Sequence, residues 1–261
     1  MTSISLTPLL VAMPLSAMGT WLLAGAARRI GAVAKVTADR WHKNGEIPRL
    51  AGPAMLAAVA PWLHGGELAI LMAVCALGSI DDIRPLRPDV KAIGLLMAAA
   101  AAVWVTGSWW TGPALWLVAN AVNLLDHADG IAAAAAAGTF LGLGGDAGLA
   151  AAGACGGFLL LNYPPARVFM GDSGSLTLGA MAVLIGARGN DAVTTALWCA
   201  VPLADAVQVT VRRILRGQKP WVGGTDHSGH GLLRMGIPPR LLPALYFILT
   251  LLAGAVSGIR P

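Results

Sequence analysis

The sequence predicts an all-α, polytopic integral membrane protein with about ten transmembrane helices, and three observations lead there. Apolar residues fill 56% of the 261 positions and charged residues only 12%, about half the charge of a soluble domain. Mean hydropathy is +0.69, and charge-poor apolar stretches follow one another from end to end. Basic residues gather in alternate connections between those stretches, as they do on the cytoplasmic side of membrane proteins. Too little polar surface remains to cover a soluble globule, and a disordered chain needs the opposite composition. A single transmembrane domain over residues 1–261 is expected.

The spans fall at about 4–26, 49–64, 67–80, 91–107, 112–125, 131–145, 147–162, 174–187, 192–211 and 240–258. Several are shorter than the roughly 20 residues that cross a bilayer core, so their helices should extend into the flanks. Ala and Gly on most spans suit close helix–helix contact, with Ala132–Ala137 as the extreme case. The connection after the first span holds Arg28, Arg29, Lys35, Arg40, Lys43 and Arg49, and that after the third holds Arg84, Arg87 and Lys91. Arg167 follows the seventh; Arg212, Arg213, Arg216, Lys219, Arg234 and Arg240 follow the ninth. Sixteen of the eighteen basic residues thus share one side, and only Arg188 and Arg260 fall opposite. That side is expected in the cytoplasm, with both termini outside. The pI near 9.6 therefore reports membrane sidedness, and no nucleic-acid partner is expected. Residues 1–27 carry no Lys or Arg, so no signal peptide is expected there. Cys75, Cys155 and Cys199 lie far apart in apolar sequence and read as buried, inert thiols.

The unusual polar residues collect on the basic side. Asp81-Asp82 closes the third span, while Asn120, Asn123, Asp126 and Asp129 recur every three residues through the end of the fifth. Steps of three keep helical neighbours on adjoining faces, and amides and carboxylates beside an apolar core are costly unless they serve a site. For Asn120 a helix-packing hydrogen bond is an equal alternative. Asp172 opens the eighth span within Phe169-Met170-Gly171-Asp172-Ser173-Gly174-Ser175, either as an N-cap or as part of a phosphate site. His227 and His230 lie after the ninth span, whereas His42 and His64 receive no role. Asp205, with Gln208 one turn on, is either a buried packing contact or an intramembrane group behind the site. Carboxylates with a basic rim suit a divalent cation that neutralises phosphate. A P-loop is absent, and the Gly-Asp-Ser-Gly string lacks the partners of a serine protease.

Together these segments resemble the polyprenyl-phosphate N-acetylhexosamine-1-phosphate transferases, glycosyltransferase family 4. Ile47-Pro48-Arg49-Leu50-Ala51-Gly52 is similar to the family's Pro-Arg-x-Gly-Gly loop, and Gly78-Ser79-Ile80-Asp81-Asp82 to its Asp-Asp motif. Asn120 to Gly130 matches Asn-x-x-Asn-x-x-Asp-Gly-x-Asp-Gly, and Phe169 to Ser175 matches Phe-x-Gly-Asp-x-Gly-Ser. Pro202, Asp205 and Arg212-Arg213 have the spacing seen before the family's His-rich loop. The matches run from about residue 42 to 236 in the family's order, and ten spans is the family's architecture.

The resemblance implies transfer of a sugar-1-phosphate from a UDP-N-acetylhexosamine to undecaprenyl phosphate, with release of UMP. The setting would be the bacterial inner membrane, where the lipid-pyrophosphoryl sugar starts a cell-envelope polysaccharide such as O-antigen. Mg²⁺, replaceable by Mn²⁺, would be held by Asp172 and Asp82. Asp81 would be a base towards the lipid phosphate, and Asp82, Asp126 and Asp129 would complete the catalytic set. Asn120, Asn123, Phe169, Arg49, Lys91, His227, His230 and Arg234 would bind substrates, Phe169 by stacking on uracil.

Three departures from the family pattern stand out. His-x-His-His-Arg-Leu becomes His227-Ser228-Gly229-His230-Gly231-Leu232, so the middle His and the Arg are both Gly. His127 and Ala51 each replace a Gly of the pattern. Arg234 is expected to supply the missing cation. The absent triple-His pattern favours the GlcNAc-1-phosphate branch over the phospho-MurNAc-pentapeptide branch. The alternatives to a transferase are a non-catalytic membrane relative acting as a partner protein and, less favoured, an ion-coupled transporter; a homodimer would form through small-residue spans.

Overall fold

The structure is a computed structural model describing residues 5–36, 45–219, 224 and 226–259. Arg40, His42, Lys43 and Arg260, which enter the sidedness and motif readings, lie outside the described residues. The elements are α1 (Thr7–Ile30), β1 (Val33–Val36), β2 (Gly45–Pro48), α2 (Gly52–Val59), α3 (Gly65–Ile83), α4 (Pro88–Thr106) and α5 (Thr111–Leu125). They continue with α6 (Ile131–Leu143), α7 (Gly145–Asn162), α8 (Gly171–Gly186), α9 (Ala192–Trp198), α10 (Ala200–Leu215), α11 (Ser228–Arg234) and α12 (Leu242–Ala255).

Local chemistry accounts for the boundaries. α1 stops where Gly31 takes φ 76°, with Arg28 and Arg29 in the last turn against its negative end. α3 starts in a capping box in which the His64 amide donates to Glu67 Oε2 at 3.0 Å. α4 runs from Pro88 to a left-handed Gly107. Asp191 caps α9 by accepting from the Thr194 amide at 2.6 Å.

The chain is a helical membrane protein by its apolar helices. α1, α4 and Pro239–Gly258 are each long and apolar enough to cross a membrane. The ninth expected span is broken: α9 and α10 meet at 76° around Cys199. Pro202 falls in the first turn of α10, where a missing N–H leaves no helical bond unmade. The second span is an eight-residue helix with a 3₁₀ turn at Ala60–Trp62. The antiparallel β1–β2 hairpin, in register Val33↔Pro48, had no counterpart among the expected elements. It brings the chain back to Pro48, whose carbonyl accepts from the Phe169 amide at 2.8 Å.

α8 is the axis of the bundle, buried from Ser173 to Gly186 and packed against α2, α3, α5 and α6. Glycine permits the closest approaches. A Cβ at Gly179 would lie 2.5 Å from Ala119 Cα of α5, and one at Gly157 of α7 would lie 2.0 Å from the Met13 carbonyl of α1. Small side chains thus line the interior while Met18, Trp21, Met97, Trp104 and Leu252 point outward. This arrangement suits lipid, where packing and not water exclusion joins helices. All three cysteines are free and buried, as the sequence suggests.

Candidate functional site

The first turn of α8 organises one half of the site. Asp82, at the end of α3 and 1% exposed, accepts from the Asp172 amide through Oδ1 and from the Ser173 amide through Oδ2, each at 3.0 Å. It therefore caps α8 from another helix, satisfying amides that helix geometry leaves open. Burial pushes its carboxyl up to about 6, against those hydrogen bonds. Arg49 Nε lies 3.8 Å from Asp82 Oδ1. Leu50, beside it, holds φ 114°, a strained conformation for a branched residue.

Asp81 points elsewhere. Its Oδ1 accepts from the Leu86 amide at 2.7 Å, and its Oδ2 lies 3.3 Å from Lys91 Nζ at the start of α4. The same ammonium pairs with Asp172 Oδ2, while Asp172 Oδ1 accepts from Asn123 Nδ2 at 3.0 Å. Asn123 Nδ2 also donates to Ser175 Oγ at 2.9 Å. Burial raises the Asp172 carboxyl, but Lys91 and Asn123 outweigh it and hold the group below its ordinary value. Asp81 and Asp172 are thus hard oxygen donors meeting at one cation, the donor chemistry that Mg²⁺ prefers, while the Asn123 amide orients Asp172.

Gly171 sets this geometry at φ 70°. A Cβ there would fall 2.5 Å from Asp82 Oδ2. Gly171→Ala should therefore lower thermal stability by roughly 1–3 kcal/mol, from backbone strain and overpacking. A melting temperature equal to wild type would refute this account of the turn.

The chain around α5 supplies the rest. Asn120 Nδ2 donates to the Trp116 carbonyl at 2.7 Å, within its own helix. α5 ends at Leu125, so the helical steps of three hold for Asn120 and Asn123 only, and Asp126 and Asp129 lie in the following turn. Asp129 Oδ2 accepts from the Ala166 amide at 2.9 Å. Asn162, which no sequence spacing singled out, accepts from the Gly130 amide at 2.9 Å and donates to the Val168 carbonyl at 2.8 Å. These contacts tie the α5–α6 turn to the segment that carries half-buried Phe169.

The other half is an imidazole cluster. His227 Nδ1 lies 3.0 Å from Asp205 Oδ2, and its Nε2 lies 3.4 Å from Arg213 Nη2. Because guanidinium can only donate, Nε2 accepts and Nδ1–H donates to Asp205. Asp205 Oδ1 accepts from the Ser228 amide at 2.9 Å and from its hydroxyl. Arg213 forks onto Asp226, with two bonds of 3.0 Å. α10 makes this pattern by burying Pro202, Asp205, Val209 and Arg213 along one face. His127 stacks on His227 at 4.2 Å between ring centroids and on His230 at 4.8 Å. Arg234, in the last turn of α11, is exposed.

The donor atoms of His127, Asp205 and His227 lie within 4.8 Å of one another, yet they do not fit a metal. The planes of His127 and His227 are only 21° apart, so their in-plane lone pairs run side by side and cannot converge. Burial, with His227 adding to it, pushes His127 down from 6.5 to about 3. Between those pH values the unfolded chain binds a proton that the folded one refuses. Stability should thus fall as pH drops below about 6.5, by up to about 1.4 kcal/mol per pH unit. Melting curves in detergent should show a shallower slope for His127→Gln; an unchanged slope would refute the assignment.

The family model for glycosyl transferase family 4 matches residues 104–190, which run from the end of α4 past α8. A Streptomyces coelicolor protein named as a glycosyltransferase is 34% identical over 80% of this chain and 60% of its own length. A Bacillus subtilis protein, named as an undecaprenyl-phosphate N-acetylglucosaminyl 1-phosphate transferase, is 28% identical over 85% of this chain and 75% of its own. A Synechococcus phospho-N-acetylmuramoyl-pentapeptide-transferase is 27% identical over 74% and 67%. The chain spans 60% of the Streptomyces relative's length. The matched region encloses Asn123, Asp126, Asp129 and Asp172, and over it the chain is similar to glycosyl transferase family 4.

Proposed function

We propose that the protein transfers an N-acetylhexosamine-1-phosphate from a UDP-sugar to undecaprenyl phosphate on the cytoplasmic face of a bacterial inner membrane. The observation that carries this reading is the meeting of Asp81, Lys91, Asn123 and Asp172 at the first turn of α8. In the reaction a lipid phosphate oxygen bonds to the sugar-linked phosphorus, the bond from that phosphorus to the bridging oxygen breaks, and UMP leaves carrying that oxygen.

Phosphoryl transfer needs alignment and charge neutralisation above all. Asp172 would be the principal Mg²⁺ ligand, with Asp81 beside it; bound Mg²⁺ would neutralise phosphate charge. Asp82, whose two oxygens hold backbone amides, would support the metal by fixing Asp172. Lys91 and Arg49 would draw the phosphates in. Asp81 would accept what proton the lipid phosphate retains, while Asp126 and Asp129 would line the nucleotide pocket with Asn120, Asn123 and Phe169. His230 would face the diphosphate, with Arg234 as the outer cation, while His227, held by Asp205 and Arg213, would position the loop.

The missing triple-His pattern favours a donor without a peptide, while the relatives include both branches. The test is UMP release from purified protein given undecaprenyl phosphate, Mg²⁺ and a panel of UDP-sugars. Release with one N-acetylhexosamine donor, lost with a chelator and regained with Mg²⁺ or Mn²⁺, supports the reading. Silence across the panel from folded protein would sink it. Arg234→Ala should raise the KM for the donor at least about tenfold, as expected for a lost charge-assisted phosphate contact. Unchanged kinetics would remove Arg234 from the site.

A further inference from the structure

We propose that His127 stands in space where the family pattern places the middle histidine of the His-rich loop, at position 229, and that its imidazole contacts the donor's diphosphate. The second half of this proposal rests on the transferase reading. The chain departs from the pattern twice in compensating directions: Gly becomes His at 127, and His becomes Gly at 229. The two positions, far apart in sequence, share one volume. A Cβ at Gly229 would lie 2.5 Å from His127 Nε2 and 2.8 Å from Ile131 Cδ1. A side chain at 229 therefore fits only if the tips of His127 and Ile131 move aside, so positions 229 and 127 compete for the same space. The pattern's other lost side chain behaves differently, since a Cβ at Gly231 meets nothing within 4 Å among the described residues.

The exchange preserves three imidazoles. His127 lies 4.2 Å from His227 and 4.8 Å from His230, and His227 and His230 are 6.0 Å apart. What changes is the supporting element. A histidine at 229 would hang from seven-residue α11, whereas His127 hangs from the turn that ends α5, four positions after Asn123, which holds Asp172. Both ring nitrogens of His127 are shielded from water and, among the described residues, lack a hydrogen bond of good geometry, the Leu124 backbone giving only a polar contact short of it. A buried donor left so is expensive, and a phosphate oxygen would satisfy it.

The test compares wild type, His127→Gly, Gly229→His and the double variant His127→Gly/Gly229→His in detergent, reading melting temperature and affinity for UDP with Mg²⁺. The exchange predicts that Gly229→His lowers both. His127→Gly should weaken UDP binding roughly tenfold, the value of one good hydrogen bond, and the double variant should regain both quantities. Losses that simply add in the double variant overturn the proposal. If wild type binds no UDP, the transferase reading and the diphosphate contact fail together. The melting temperatures still decide the shared volume: recovery in the double variant upholds it and additive loss rejects it.

Discussion

Replacing Asp172 with asparagine is expected to reduce sugar-1-phosphate transfer about a thousandfold while leaving the protein folded. The substitution keeps the side chain's size and an oxygen for Asn123 Nδ2, which now donates to Asp172 Oδ1 at 3.0 Å. It removes the negative charge that the Lys91 ammonium and a divalent cation would share. Loss of a preorganised charge at a reacting phosphate is worth about two to three orders of magnitude or more. The backbone of residue 172 is held by Asp82 and not by its own side chain, so the melting temperature should move little. UMP release and thermal unfolding of the same preparation check both halves. Activity within tenfold of wild type would remove Asp172 from the chemistry; a collapsed melting temperature would make it a fold residue.

Asp82→Ala should show the reverse order of effects, with folding lost first. Its carboxylate satisfies two buried backbone amides, those of Asp172 and Ser173. Leaving a buried donor without a partner costs about 1–3 kcal/mol, so two such losses take about 2–6 kcal/mol from a total that is typically 5–15. Nothing nearby can relax to compensate. A Cβ at Gly78 of α3 would lie 2.5 Å from the Asp172 carbonyl, and one at Gly52 of α2 would lie 2.2 Å from the Ser173 carbonyl. The α8 turn is therefore clamped between two helices and a carboxylate. Gly78→Ala should consequently mimic Asp82→Ala in thermal unfolding although it touches no charge. Wild-type stability for Asp82→Ala would mean that water replaces the cap, and the clamp account would be wrong.

Asp81 and Asp82 show why motif spacing stops short of assigning roles. They are neighbours in one helix, so their side chains leave α3 about 100° apart. One turns to Lys91 and the other to the amides of α8. Asn120 and Asn123, three apart, likewise separate: one bonds its own helix and the other reaches Asp172. Asp205 was open between packing and support, and its contacts with His227 and Ser228 make it the anchor of the His-rich loop. Asn162 and Asp226 carried no local signal, because their partners arrive by packing.

Composition and order along the chain determined what depends on single residues or short windows. Charge scarcity and apolar runs gave the helical membrane class, and the spaced carboxylates and amides included Asp81, Asn123 and Asp172, which meet at the first turn of α8. Only the tertiary structure decided the bend between α9 and α10, the β1–β2 hairpin, the cap from Asp82 onto α8, and the meeting of His127 with Gly229. The reason is physical. Local preferences act through bonds and turns a few residues long, whereas a side chain's partner is set by which helices touch and at what rotation. In this bundle that contact is governed by glycines that let backbones approach closely.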